Sequence, residues 1–318
     1  MINKYDIVVA TDANYIIHTL TLMASVGANE KKRTCFHVLS FNLTENDKKQ
    51  FDIVPFNFGH IQYKFYDLND ALLRERLFSG VDVSRDRSLA AYARLLIPEI
   101  LPDDIHRCIY MDVDSVVLGP LKDFYDIEFD EYSLAGVSDT NPVSRHYDVG
   151  LKDDDLYINS GMIVWDLDRC REKKLIDDIR AFVKSRNGQI DAMDQGTLNG
   201  ALSHQIKQIH PRFNMLTSFF QMNSKEISSY YKIPTYTDKE IMEARKSPLF
   251  IHFTPNLTTR PWVKHCQHPL QKEYWKYRQI ISSSKSLEND NRSMKLKFLS
   301  CLFFLNHQLY FKFIKLVP

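Results

Sequence analysis

Between residues 6 and 112, short apolar runs alternate with helical segments, and this alternation restricts the chain to a mostly parallel sheet covered by helices. Strands are predicted at Asp6–Ala10, Thr34–Leu39, Ile61–Tyr66 and Cys108–Asp112. Helices are predicted at Tyr15–Ala28, ending near Gly27, at Thr44–Phe51 with Thr44 as its cap, and at Leu89–Leu101, stopping before Pro102. The second half is less regular. Leu134–Val137, Gly161–Asp166 and Leu249–Phe253 read as strands, Arg169–Ser185 as a helix, and Asp194–Ala201 as the start of another. The polar stretch Asp139–Asp155 is long enough to be a functional loop or lid.

The chain has 318 residues, 44% hydrophobic and 25% charged, which suits a soluble globular protein of one large domain or two small ones. A net charge of +1 gives no reason to expect a nucleic-acid partner. Five scattered cysteines without a C-x-x-C signal neither a zinc site nor a disulfide framework, and they read as reduced thiols of a cytosolic protein. Lys4 and Asp6 flank an apolar run too short for an export signal, and no stretch nears the roughly 20 apolar residues of a membrane span. The sequons at Asn42 and Asn256 are then expected to go unused.

Ile281–Ser293 is Ser-rich and charged, like a hinge. Beyond it, Met294–Pro318 contains no acid and interleaves Lys295, Lys297, Lys312 and Lys315 with many aromatic and aliphatic residues. That composition suits a helix lying on an anionic membrane surface. The competing reading is a terminal helix packed on its own domain or on a second subunit.

Asp112 and Asp114 close an apolar strand and, in an extended chain, point the same way. Two adjacent carboxylates need a cation or water between them, and a hard divalent ion satisfies both. Asp12-Ala-Asn-Tyr15 follows the first strand. Asp12 can accept from the ring N–H of a planar base on which Tyr15 stacks, or Asp12 or Asn14 can merely cap the next helix. The first glycine is Gly27, so no Gly-rich phosphate loop follows the first strand, against a Rossmann dinucleotide site or a P-loop.

Six further segments complete the pattern: Ala91-Tyr-Ala-Arg-Leu95, Tyr110-Met-Asp-Val-Asp114, Tyr157-Ile-Asn-Ser-Gly161, Met193-Asp-Gln-Gly-Thr-Leu-Asn199, Ile251-His-Phe253 and Arg260-Pro-Trp262. In this order and spacing, from about residue 5 to about residue 275, the chain resembles the retaining glycosyltransferases of family eight, which include bacterial lipooligosaccharide and lipopolysaccharide galactosyl- and glucosyltransferases. The resemblance implies an α/β GT-A fold, Rossmann-like and of the nucleotide-diphospho-sugar transferase kind. Its mixed sheet should be mostly parallel and followed by a helical C-terminal tail. Taken with the composition of the C-terminal segments, it divides the chain into a catalytic domain at 1–280, a hinge at 281–293 and a membrane-associating tail at 294–318.

The resemblance further implies a UDP-hexose donor, a glycan or glycolipid acceptor and an α-linked surface glycan as product. Asp12, Asn14 and Tyr15 should hold uridine, with Ala10, Thr11 and Val113 also lining the donor site. Asp112, Asp114 and His252 should bind Mn²⁺, with Mg²⁺ as the other candidate. Arg260 should meet the β-phosphate, while Arg94, Asp139, Asn159, Ser160, Asp194 and Gln195 contact the sugar. Gln195 should lie nearest the anomeric carbon, with Asp194 as the competing catalytic nucleophile. The expected place of work is the cytoplasmic face of the inner membrane.

Two departures stand out. The family pattern His-x-x-Gly-x-x-Lys-Pro-Trp becomes His252-Phe-Thr-Pro-Asn-Leu-Thr-Thr-Arg-Pro-Trp262, losing the glycine, gaining two residues and exchanging lysine for Arg260. Ser160 stands where alanine is common. An Asp-x-Asp nucleotidyl- or phosphotransferase, or a non-catalytic UDP-sugar-binding scaffold, are the competing functions.

Overall fold

The computed structural model describes residues 4–81, 89–255, 258–307 and 309–310, and within them ten strands form two sheets. These are β1 (Tyr5–Asp12), β2 (Thr34–Phe41), β3 (Ile61–Leu68), β4 (Arg107–Met111), β5 (Ser115–Val117), β6 (Leu134–Ser138), β7 (Ile158–Asp166), β8 (Ile206–Gln208), β9 (Met215–Leu216) and β10 (Phe250–His252). The large sheet has the order β3-β2-β1-β4-β7-β6-β8, and β7 alone among these strands runs antiparallel to its neighbours. Helices and loops bury both of its faces, which is why β1 can read as the uninterrupted run Ile7-Val8-Val9, fully buried.

The expected mostly parallel α/β architecture is therefore present, with local differences that have physical causes. Leu89–Leu101 is a 3₁₀ segment at Ala90–Leu96 followed by one α-turn at Ile97–Ile100. Pro98 has no N–H to give Arg94, so an α-ladder cannot run through it. Arg169–Ser185 is two helices, Leu167–Glu172 and Leu175–Ser185, broken where Lys174 takes φ 55°. Thr44 does cap its helix, in a box with Asp47, but the α-turn ends at Lys49 and continues as separate short pieces. A helix at Asp70–Leu77, capped by Asn69, was not anticipated, and the predicted loop at Asp139–Asp155 carries a short helix at Ser144–Asp148.

Leu249–Phe253 holds the expected strand, and it is buried. Its core, β10, belongs to a small second sheet, β5-β10-β9, and pairs antiparallel with β5 so that His252 faces Ser115. Because β5 begins directly after Asp114, this second sheet sets the late histidine beside the acidic pair.

The C-terminal helix spans Met294–Leu305 and packs one side against the main core through Phe303, with Leu299 and Leu302 beside it. Its other side leaves Met294, Leu296 and Leu305 more than half exposed. The predicted hinge is tied near its middle, where Glu288 bridges Val263 and its N–H donates to Trp262 O at 2.8 Å. Residue 308 and residues 311–318 of the predicted tail, and the sequon Asn256, lie outside the described residues. No described helix is long and apolar enough to cross a membrane.

Candidate active site

β4 stops at Met111, and Asp112-Val-Asp114 crosses from the large sheet to the small one. Backbone bonds pin this crossing: Asp112 N–H donates to Gly161 O at 2.8 Å, and Phe253 N–H donates to Asp114 O at 3.0 Å. The Ser115 hydroxyl closes on the Asp112 carbonyl. The two carboxylates and His252 thus converge, with one ligand atom from each lying within 4.8 Å of the others.

The remaining carboxylate oxygens are already engaged. Asp112 Oδ1 accepts from Tyr110 OH at 2.8 Å and meets Arg94 Nη2 at 2.9 Å. Asp114 Oδ2 receives Arg260 Nε and Nη2, both at 2.8 Å. Asp112 Oδ2, which also accepts from Arg94 Nη1 at 3.4 Å, and Asp114 Oδ1 both point at His252 Nε2, at 3.8 and 3.1 Å. The other ring nitrogen, Nδ1, lies 3.2 Å from Asn159 Oδ1, an acceptor that also takes Gly161 N–H at 3.0 Å and Asn214 Nδ2 at 2.9 Å. With hydrogens assigned from this network, Nδ1 carries the proton and Nε2 faces the carboxylates. A Cβ on Gly161 would come within 2.7 Å of Asp112 Oδ2, so only glycine leaves this space open. Two carboxylate oxygens and one imidazole nitrogen form a donor set that fits a Mn²⁺- or Mg²⁺-class ion.

Charge is balanced by neighbours. Burial would raise the Asp114 carboxyl, but His252 and Arg260 outweigh it and hold the group well below the usual carboxylate range. Burial opposes protonation of His252, yet Asp114 and Asp112 carry its net shift upward. Arg94 is buried too, and Asp112 and Asp194 together keep it protonated.

Two cavities of about 320 Å³ each meet at Arg94 and Asp112. The first is lined by Ala10, Thr11, Asp12, Tyr15, Val113, Asp114 and Arg260. The second is polar and is lined by Asp139, Asn159, Ser160, Asp194 and Gln195, with Thr140, Asn141 and Arg145 at its border. Arg94 joins the two: Nε lies 3.0 Å from Asp194 Oδ2, Nη1 donates to Ser160 O at 2.9 Å, and the guanidinium stacks 4.5 Å over Tyr110.

The helix Met193–Leu202 presents Asp194 and Gln195. Ala192 at φ 58° and Met193 at φ 50° form a left-handed entry that non-glycine residues seldom adopt, a strain that sets the direction of the first turn. Asn199 then locks the helix to β7, accepting Ile158 N–H at 2.7 Å and donating to Ile158 O at 2.9 Å. Gln195 is held at both ends of its amide. Nε2 donates to Asp139 Oδ2 at 2.6 Å, and Oε1 accepts from Ser160 N–H at 3.1 Å and Asn159 Nδ2 at 3.3 Å. Burial raises the Asp194 carboxyl against the pull of Arg94.

Residues 6–266 match the sequence profile of glycosyl transferase family 8. The chain belongs to this family. This family 8 glycosyltransferase is 26% identical over 276 residues to General stress protein A of Bacillus subtilis (strain 168), spanning 85% of this chain and 92% of that one. It is 23% identical over 280 residues to the lipopolysaccharide 1,3-galactosyltransferase of Salmonella typhimurium, spanning 86% and 77%. The crystal structure of the galactosyltransferase LgtC, in complex with donor and acceptor sugar analogues, superposes with a TM-score of 0.70 at 21% identity and covers 88% of this chain and 97% of its own. The fold is thus the GT-A fold, and the family 8 glycosyltransferase is related to enzymes of lipopolysaccharide assembly.

Of the residues predicted for the site, the two joined cavities and the acidic pair gather all but Asn14, which stands exposed at the rim. Asp12 has taken the capping role as well, its Oδ1 accepting Asn14 N–H at 2.9 Å and Tyr15 N–H at 3.2 Å. Asn159, expected to meet sugar, lines the second cavity, while its Oδ1 serves His252, Gly161 and Asn214. Asn214 was missed, since a lone asparagine carries no motif. The role of Asn199 was legible only as the i+4 companion of Gln195.

His18 was also missed. It stacks on Trp262 with ring centroids 3.7 Å apart, and its Nδ1 lies 2.7 Å from Tyr274 OH. Burial, aided by Arg278, lowers this imidazole to about 4. The unfolded chain therefore binds the proton first, and stability falls as pH drops from 6.5 toward 4. Urea midpoints at pH 7 and pH 5 should show a His18 contribution of about 2 kcal/mol that disappears in His18→Gln. An equal pH dependence in both proteins contradicts this assignment.

Proposed function

We propose that this family 8 glycosyltransferase moves a hexose, galactose or glucose, from a UDP-sugar to a glycan or glycolipid acceptor with retention. The product is an α-linkage in lipopolysaccharide, lipooligosaccharide or another cell-surface glycan. The observation that carries this reading is the junction of two cavities at Asp112 and Arg94, one with an aromatic and carboxylate end, the other a polar basin. A nucleoside suits the first, with Tyr15 as stacking surface and a free Asp12 oxygen as acceptor. A hexose suits the second, where Asp139, Asp194 and Arg94 can read hydroxyl groups.

Asp112, Asp114 and His252 would hold Mn²⁺, or Mg²⁺, whose chemistry is Lewis-acid stabilisation of a departing diphosphate. Arg260 lies on the wall of the first cavity and supplies a second cation for the same leaving group. The Gln195 amide is fixed by Asp139, Asn159 and Ser160 and serves as a rigid dipole beside the sugar. With both amide ends engaged it has no freedom to attack carbon, which favours departure and attack on one face of the sugar. Asp194 keeps Oδ2 on Arg94 and Ser160, so as a covalent nucleophile it would attack through Oδ1; a sugar ester trapped on Asp194 and seen by mass spectrometry would overturn the one-face route.

The test is a panel of UDP-sugars incubated with Mn²⁺ and scored for UDP release. UDP-galactose or UDP-glucose should be hydrolysed measurably and the others at least about tenfold more slowly. A silent panel together with activity in a nucleotidyl-transfer assay refutes the reading.

In this reading residues 1–280 carry catalysis, 281–293 connect, and 294–318 touch the inner face of the cytoplasmic membrane. Support comes from Leu296 and Leu305 exposed beside Lys295 and Lys297. Removing the whole segment would delete Phe303 and uncover the part of the main core it packs against, so the informative variant keeps the segment and changes Leu296→Ser, Leu305→Ser, Lys295→Glu and Lys297→Glu. Binding to anionic vesicles should weaken more than tenfold, at about 1 kcal/mol per lysine, while activity on soluble acceptors stays. Unchanged vesicle binding rejects the membrane role.

A further inference from the structure

We propose that Asp6, Cys35 and His37 form a second metal site, separate from the donor cleft, that takes a borderline-soft divalent ion of the zinc type. The five cysteines signal no such site in sequence, because the ligands come from two strands. In the parallel register of β1 and β2, Asp6 pairs with Cys35 and Val8 with His37. Side chains two apart on a strand share a face, so Cys35 and His37 project together beside Asp6. One donor atom from each lies within 4.8 Å of the others.

The surroundings are those of a ligand set. His37 is buried, with Nε2 2.9 Å from Asp6 Oδ1. Its Nδ1 is held 3.0 Å from Tyr66 OH, so the ring is oriented from behind, as metal-binding imidazoles are. The cation now on Asp6 Oδ1 is Lys4 Nζ at 2.9 Å, from a side chain 49% exposed that can swing into water. Asp6 also lines a cavity of about 950 Å³ whose walls carry six carboxylates against two lysines, one arginine and one histidine, a surplus that favours cations. Asp6 is the second residue of β1 and Asp12 its last, so Asp6 lies roughly 20 Å, at about 3.3 Å per residue, from the Asp12 wall of the donor cleft.

A sulfur donor decides the class of ion. Thiolate with imidazole and one carboxylate suits Zn²⁺, with a fourth position left for water, whereas the two carboxylates and imidazole of the donor cleft suit Mn²⁺ or Mg²⁺. Binding releases the Cys35 thiol proton to solvent and displaces Lys4 from Asp6.

Co²⁺ titration of the chelator-stripped full-length protein tests this. One equivalent should produce a near-ultraviolet thiolate-to-cobalt charge-transfer band, and added Zn²⁺ should abolish it. The band should persist in Asp114→Asn, vanish in Cys35→Ser, and need about tenfold more Co²⁺ in Tyr66→Phe. A wild-type protein without the band, or a Cys35→Ser protein that keeps it, overturns the proposal. Because Cys35→Ser could fold poorly, alkylation of wild-type Cys35 followed by peptide mass spectrometry gives a second measure. Zn²⁺ should slow it at least tenfold, and an unchanged rate refutes the site.

Discussion

Asp114→Asn is expected to abolish divalent-ion binding in the donor cleft and to lower kcat/KM by about 10³-fold. The substitution keeps the shape of the side chain and leaves an amide oxygen able to accept from Arg260, so the crossing between the sheets should stay in place. What changes is charge at the place where leaving-group charge must be met, and a single well-aimed electrostatic group in a water-poor site is worth about 10² to 10³ in rate. Loss of the ion's own contribution adds to that. Asp114 is the suited member of the pair because it holds Arg260 with one oxygen and faces His252 with the other. Mn²⁺ titration by electron paramagnetic resonance and UDP release measured on the same sample check both parts. A variant that binds Mn²⁺ as tightly as the wild type, or that keeps more than a tenth of its activity, contradicts the assignment.

Arg94→Ala should cost the most stability of any single change at the site, about 3 to 5 kcal/mol, because it strands two carboxylates that one guanidinium now neutralises. Arg94 meets Asp112 at 2.9 Å and Asp194 at 3.0 Å, and it is only 7% exposed. Lysine should not restore the loss, since a point charge cannot span Asp112, Asp194 and Ser160 as the fork does. Metal and arginine share Asp112, which gives a sharper expectation. Mn²⁺ should raise the melting temperature of Arg94→Ala more than that of the wild type, by replacing part of the missing positive charge. Thermal unfolding with and without MnCl₂ measures this, and an equal rise in the two proteins argues against a shared carboxylate.

Much of the large sheet was readable because the middles of β1 and β4 are apolar on both faces and so appear as unbroken runs, such as Ile7-Val8-Val9. The acidic pair, Gln195 and His252 were readable from motif order. Pairing was harder. Nothing local to Leu249–Phe253 says that it joins a second sheet, because that depends on β5 lying beside it after a turn at Asp114. The break at Lys174 was hidden as well, since lysine carries no mark of a left-handed conformation. The C-terminal helix was expected at a membrane from its composition. Only the fold shows that Phe303 is used internally while Leu296 and Leu305 remain outside.

The aromatic stack behind Arg260 has a mechanical meaning. Tyr15 and His18 lie one turn apart, their rings 5.6 Å from each other, and His18 rests face to face on Trp262, two residues beyond Arg260. The wall that carries Tyr15 and the wall that carries Arg260 are therefore riveted together by one buried imidazole. Loosening that rivet would let the two walls shift against each other without touching a single reacting atom.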